Sequence, residues 1–158
     1  MKAIHWIVAA AALAYSLPAP ATAATSDPEV IIYRFPGVYD DGGPTNNGVA
    51  TVFHCTNFSG VTENIRIVTR GFDGALKTNV AFAINHLATK TANTHIVGSY
   101  STDHTLATGA VSQGTVAIAA TSTNIICTAM TIDAALNKPT TGVALRGIRF
   151  NPIPGSQE

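Results

Sequence analysis

Ile125-Ile126-Cys127-Thr128-Ala129-Met130-Thr131-Ile132-Asp133 reads as a β-strand, rich in β-branched and apolar residues and preceded by the turn-forming run Thr121-Ser122-Thr123-Asn124. Cys127 is one of two cysteines in the chain. The other, Cys55, lies in an earlier run of the same character, Val49-Ala50-Thr51-Val52-Phe53-His54-Cys55-Thr56-Asn57. Two cysteines allow one pairing, and a Cys55–Cys127 bond ties a strand near the start of the fold to one near its end. A role as metal or redox ligands lacks support, because there is no C-x-x-C and no third soft ligand nearby.

Working outward, the other segments repeat the pattern. Val30–Phe35 is apolar and β-branched, and Pro36-Gly37 is expected to end it. Asp40–Gly48 is a dense run of turn residues. It lacks the acidic spacing of a calcium loop and is expected to be plain loop. In Val49–Asn57, side chains alternate between faces, so Phe53 and Cys55 mark the inner face while Ala50, Val52 and His54 point the other way. Ile65 and Ile67 alternate with an outward Arg66, and Asp73-Gly74 is a hairpin turn signal. Val80, Phe82 and Ile84 share one face of a further strand, with small residues on the other. Thr89–Val97 is expected at a sheet edge, Gly98–Gly114 as irregular chain, Thr115–Ala120 as strand and Val143–Phe150 as one final strand.

These segments predict a single all-β domain. The expected architecture is an antiparallel β-sandwich of about seven or eight strands, immunoglobulin-like, with one disulfide. The bridge favours a sandwich because such links commonly join facing or neighbouring sheets. An antibody-type domain is excluded, since the only tryptophan, Trp6, lies outside the strand region and Ile125 stands where a tyrosine corner requires tyrosine.

The ends and the composition bound the compartment. Met1-Lys2, the apolar run Ile4–Leu17 and the small-residue stretch ending at Ala23 have the layout of a cleaved signal peptide, residues 1–23. The run is shorter than the ~20 residues that cross a bilayer. The domain is then 24–158, with its core at about 30–150, and it is expected to be secreted or periplasmic with no membrane span after cleavage. Nine acidic and nine basic residues are dispersed, and charged residues are only 11% of the chain, so no basic face exists for nucleic acid.

The pairing of His54-Cys55-Thr56-Asn57 with the Arg66–Gly74 segment and with Ile126-Cys127-Thr128-Ala129, followed by Asp133, resembles a loose group of uncharacterised exported bacterial two-cysteine β-sandwich proteins. The resemblance covers about residues 49–150. It implies a small extracytoplasmic sandwich with one disulfide and brings no catalytic residues.

Among residues able to carry chemistry, His86, His95 and His104 are the candidate metal ligands, for zinc or copper, although no ligand motif surrounds them. Asp103-His104 beside Ser99 and Ser101 lacks triad geometry, because adjacent residues in extended chain point apart. Glu63 and Asp73 are thin support for a paired-carboxylate hydrolase. The reading is therefore a non-enzymatic exported module, structural or binding, with no cofactor. Its partner is an unknown protein or polysaccharide met through loops or a sheet edge. A His-based metal-binding protein and a small secreted hydrolase are the alternatives.

Overall fold

The structure, a computed structural model, describes residues 25, 27–135 and 142–150. The expected signal peptide at 1–23 lies outside the described residues, as do residues 136–141 and 151–158. The chain is all-β. The strands are β1 (Val30–Asp40), β2 (Val49–Asn57), β3 (Glu63–Arg70), β4 (Leu76–Ile84), β5 (Thr89–Asn93), β6 (His104–Thr105), β7 (Val111–Ala120), β8 (Ile125–Asp133), β9 (Gly142–Leu145) and β10 (Ile148–Arg149). No helix among the described residues is long and apolar enough to cross a membrane.

Two five-stranded sheets share one core. The first has the order β10-β1-β7-β3-β4 and the second β6-β5-β2-β8-β9. Neighbours run antiparallel except β5 and β6, which are parallel, so the expected wholly antiparallel sandwich is corrected at that pair. Among the described residues there are ten strand segments where seven or eight were expected, because two-residue pairings such as β6 and β10 carry no sequence pattern of their own.

Period-two alternation builds the core. Ile65 and Ile67 of β3, Phe82 and Ile84 of β4, and Val116 and Ile118 of β7 turn inward from the first sheet. Phe53 and Cys55 of β2, with Ile125, Cys127 and Ala129 of β8, meet them from the second. Burying side chains of this size stabilises by roughly 1.5–3 kcal/mol each before conformational entropy is counted. Phe35 sits centrally, 5.7 Å from the Tyr33 ring and edge-on to Phe53 at the same distance.

Four expectations are corrected. Pro36-Gly37 does not end the first strand. β1 continues to Asp40 through register shifts between Ile31 and Tyr33, Pro36 and Val38, and Val38 and Asp40, with Gly37 at φ 80°. The turn formers here make bulges, which bend a strand without ending its ladder. β7 begins at Val111 rather than Thr115, so it extends into the segment expected to be irregular. The final strand is split: β9 pairs with β8 in the second sheet, whereas β10 pairs with β1 in the first. The crossing falls at Arg146-Gly147, where a Cβ on Gly147 would lie 2.3 Å from Phe35 Cε1, so only a hydrogen fits against the ring. Beyond the crossing, the Arg149 guanidinium lies 5.6 Å from the Tyr33 ring centroid and Arg34 lies 5.8 Å from that of Phe150.

The fourth correction concerns the far face of β2. Ala50 and Val52 are buried there, under a second apolar cluster with Val97, Ile132 and Ala134, and Tyr100 and Met130 pack against it. The segment after β5 folds back over the sheet, held by Asn46 N–H to Ile96 C=O (2.9 Å) and Gly98 N–H to Ala134 C=O (3.0 Å). β2 is thus covered on both faces, and Ala50 to Phe53 are buried in succession.

The disulfide joins Cys55 to Cys127, and no free cysteine is present. The two residues are directly opposed on adjacent strands of the same sheet, with Cα atoms 4.2 Å apart. Phe58 N–H donates to Asn124 C=O at 2.9 Å, and alternation from that pair makes Cys55 and Cys127 a non-hydrogen-bonded pair, the closer of the two kinds. In immunoglobulin domains the bridge spans the two sheets. Here it lies within one.

Candidate functional site

The candidate histidines are placed apart. His86 Nδ1 accepts from Gly60 N–H at 3.0 Å, on the surface beyond β4. His104 stacks on Phe82 with centroids 3.9 Å apart. His95 Nδ1 lies 2.8 Å from Asp40 Oδ2. His54 sits edge-on to Tyr100 and within hydrogen-bond reach of Thr91 Oγ1 (3.1 Å). Only His95 joins a three-ligand cluster among the described residues, and its companions are Asp40 and Asp41 rather than other histidines.

Local chain geometry builds that cluster. Asp40 ends β1, buried, and accepts from Gly42 N–H (2.7 Å) through Oδ1 while Oδ2 faces His95. Asp41 accepts from Gly43 N–H and Val49 N–H, both at 2.9 Å, and so closes the loop between β1 and β2. Gly48 permits this closure: its φ is 81°, and a Cβ there would lie 2.2 Å from Asp41 Oδ2. Each of the four carboxylate oxygens therefore faces a nitrogen of the protein.

The acids considered for hydrolysis do not converge. Glu63 is buried at the start of β3 and accepts from the Thr121 hydroxyl. Asp73 lies in the exposed turn beyond the other end of that strand, bonded to Ala75 N–H. Asp103 accepts from Lys90 Nζ and Thr91 N–H, both at 2.9 Å, rather than orienting His104. Asn57 is buried and donates to the carbonyls of Val61 and Ile84. A cleft of about 230 Å³ opens beside the β3–β4 turn, lined by Tyr39, Asp40, Phe72, Asp73 and Lys77 among others.

The titrating groups give a direct test. Donation from Gly43 N–H and then Val49 N–H outweighs desolvation and holds the Asp41 carboxyl below its ordinary 3.8, and the Lys90 ammonium with Thr91 N–H does the same for Asp103. Burial pushes His54 below 6.5, and burial followed by Lys90 pushes His104 down. In every case the unfolded chain binds the proton more readily, so stability is fully present above the unfolded value and is lost as pH falls through the folded one. Urea midpoints measured from pH 8 downward are expected to begin falling near the ordinary histidine value and to fall again below the ordinary aspartate value. His54→Gln with His104→Gln should flatten only the upper leg. A midpoint constant from pH 8 to pH 5 would contradict the histidine assignments.

The second feature is a strand edge. β4 pairs only with β3, and its whole nine-residue length has no neighbour on the other side among the described residues. The remaining edge strands are shorter: β9 has four residues, β6 and β10 two each. Past β10, β1 is blunted by Pro36 and its bulges, and the Thr51 hydroxyl occupies both Tyr39 N–H and C=O (3.0 and 2.8 Å).

Register identifies the free groups on β4. Thr121 N–H donates to Asn64 C=O at 3.1 Å, so Asn64 turns its backbone toward β7. By alternation, Glu63, Ile65, Ile67 and Thr69 turn theirs toward β4 and bond Ile84, Phe82, Val80 and Thr78. Asn79, Ala81 and Ala83 consequently present N–H and C=O outward, and their side chains are small and exposed. Sequence reading recognised the alternation in this strand but missed its position, because strand order is decided by partners distant in the chain. The visible signal was Lys77, the only charge in the strand.

Comparison with known proteins finds no matching family, no similar curated protein and no similar solved structure.

Proposed function

We propose that this protein is an exported, non-enzymatic module that works by association, with the β4 edge receiving an extended strand from its partner. The observation that carries this reading is the uncapped ladder at Asn79, Ala81 and Ala83, since among the described residues the other edge strands are shorter. Long unprotected edges are templates for strand addition. A row of alternating N–H and C=O groups complements another backbone, which favours a polypeptide partner over a polysaccharide. Export is supported by the signal-peptide layout of Met1–Ala23 and by the disulfide, which oxidising compartments preserve. The immunoglobulin-like description extends only to two packed sheets, since the bridge is placed differently.

Amide hydrogen exchange tests the reading. In dilute protein, the amides of Asn79, Ala81 and Ala83 are expected to exchange quickly, while those of Val80 and Phe82 are protected. Adding native cell-envelope material should slow the three edge amides in the wild type. It should not do so in Ala81→Pro, a variant that removes an outward N–H and spares every bond to β3. Protection confined to the loops at 40–48 or 98–110 would overturn the edge assignment.

A further inference from the structure

Resting on that reading, we infer that the strand received by β4 is the β4 of a second copy, paired antiparallel about Ala81 so that two first sheets become one continuous sheet. Three properties of this stretch point to its own sequence as the partner.

Register is the first. A two-fold axis at Ala81 sets Ala81 opposite its twin and Asn79 opposite Ala83. Every outward-facing backbone group among these residues then meets an outward-facing partner, giving about six inter-chain hydrogen bonds. The same register places Val80 across from Phe82, an aromatic with a β-branched residue, which is a favourable cross-strand combination. Between Asn79 and Ala83 the outer face carries only Asn79, Ala81 and Ala83, so nothing bulky stands at the centre of the joint.

Charge is the second. Lys77 is the only charged residue in β4. Antiparallel pairing about Ala81 sends the two lysines to opposite ends of the joint, each across from Asn85. A parallel, in-register pairing would set them side by side, where like charges are destabilising.

Apolar exposure is the third. Leu76 at the start of β4 and Leu87 just beyond its end are 56% and 65% exposed. Leu87 holds φ 61°, a conformation that glycine or asparagine adopts more readily than leucine. The two-fold axis at Ala81 brings Leu76 of one copy opposite His86 of the other and next to its Leu87, at both ends of the joint. A self-complementary patch of this kind is what a two-fold interface requires.

Sedimentation of the pure, oxidised protein, with cysteine pairs read by non-reducing electrophoresis, tests the inference. The expected result is a dimer fraction that rises with concentration, is insensitive to salt, and has its midpoint raised at least tenfold by Ala81→Pro. Under mild oxidation Ala81→Cys should form a covalent dimer with itself, because paired Cα atoms lie about 5.5 Å apart, within disulfide reach. Asn79→Cys mixed with Ala83→Cys should cross-link as a heteropair, and neither should cross-link alone. A monomer persisting to several hundred micromolar, or cross-linking in any other register, overturns self-pairing. If edge amides are still protected by envelope material in such a monomer, self-pairing alone has failed and the broader reading stands. Absence of both effects sinks the two together.

Discussion

Replacing Cys55 and Cys127 together with alanine is expected to lower the unfolding free energy by about 4 kcal/mol in the chain-entropy account of a bridge closing 72 residues. For a domain of this size that corresponds to a fall in melting temperature of roughly 10–20 °C. The native sheet should survive the change. β2 and β8 are paired from Val49–Asp133 through Asn57–Ile125, so the bridge reinforces a ladder that exists without it. The penalty then belongs to the unfolded chain, which gains freedom when the cross-link is gone. Urea unfolding of the double variant beside wild type, oxidised and reduced, is the measurement. The reduced wild type and the variant should agree, and far-ultraviolet circular dichroism below the transition should match the oxidised protein. A loss smaller than about 1 kcal/mol would contradict the entropic account.

The second large effect is expected at the ring that spans the core. Phe35→Ala should cost about 3–5 kcal/mol, the range for emptying a fully buried aromatic site. Phe35 is 1% exposed and touches Tyr33, Phe53 and the Gly147 crossing. Gly147→Ala should cost about 1–3 kcal/mol for the opposite reason, since its Cβ would enter space the ring already fills. The two sites are therefore coupled. Phe35→Leu with Gly147→Ala should be less destabilised than the sum of the single changes, with a coupling of about 0.5–3 kcal/mol. Additive urea midpoints would show that the crossing does not depend on the ring. All of these variants are best measured with the disulfide intact, because a domain of this class has only about 5–15 kcal/mol to lose.

Local alternation was readable. Ile65 and Ile67, Phe53 and Cys55, and Phe82 and Ile84 fall on the inner faces that period two assigns them, and Asp73-Gly74 makes the β3–β4 turn. Features that depend on distant partners were not readable. Pro36-Gly37 looks like a terminator until β7 is known to pair across it. Val52 looks solvent-facing until the chain near Val97 and Tyr100 returns to cover it. The cysteine pairing followed from their number, but its place within one sheet followed from register, which two isolated strands do not reveal. The candidate site was legible only in fragments. His95 was singled out without Asp40, 55 residues away, and the residues of β4 were assigned to faces with only Lys77 to hint that the strand stands at an edge.

The strand order has a consequence for how the chain matures. β7 lies between β1 and β3, and β8 lies between β2 and β9, so one inner position of each sheet is filled from the last third of the sequence. A nascent chain ending before Val111 holds the β3–β4 hairpin and the β2–β5 pairing, but neither sheet can be completed. Such non-local topologies collapse late and slowly. The polypeptide therefore stays loosely organised while most of it is being made, and it acquires its final shape only once its last third has arrived.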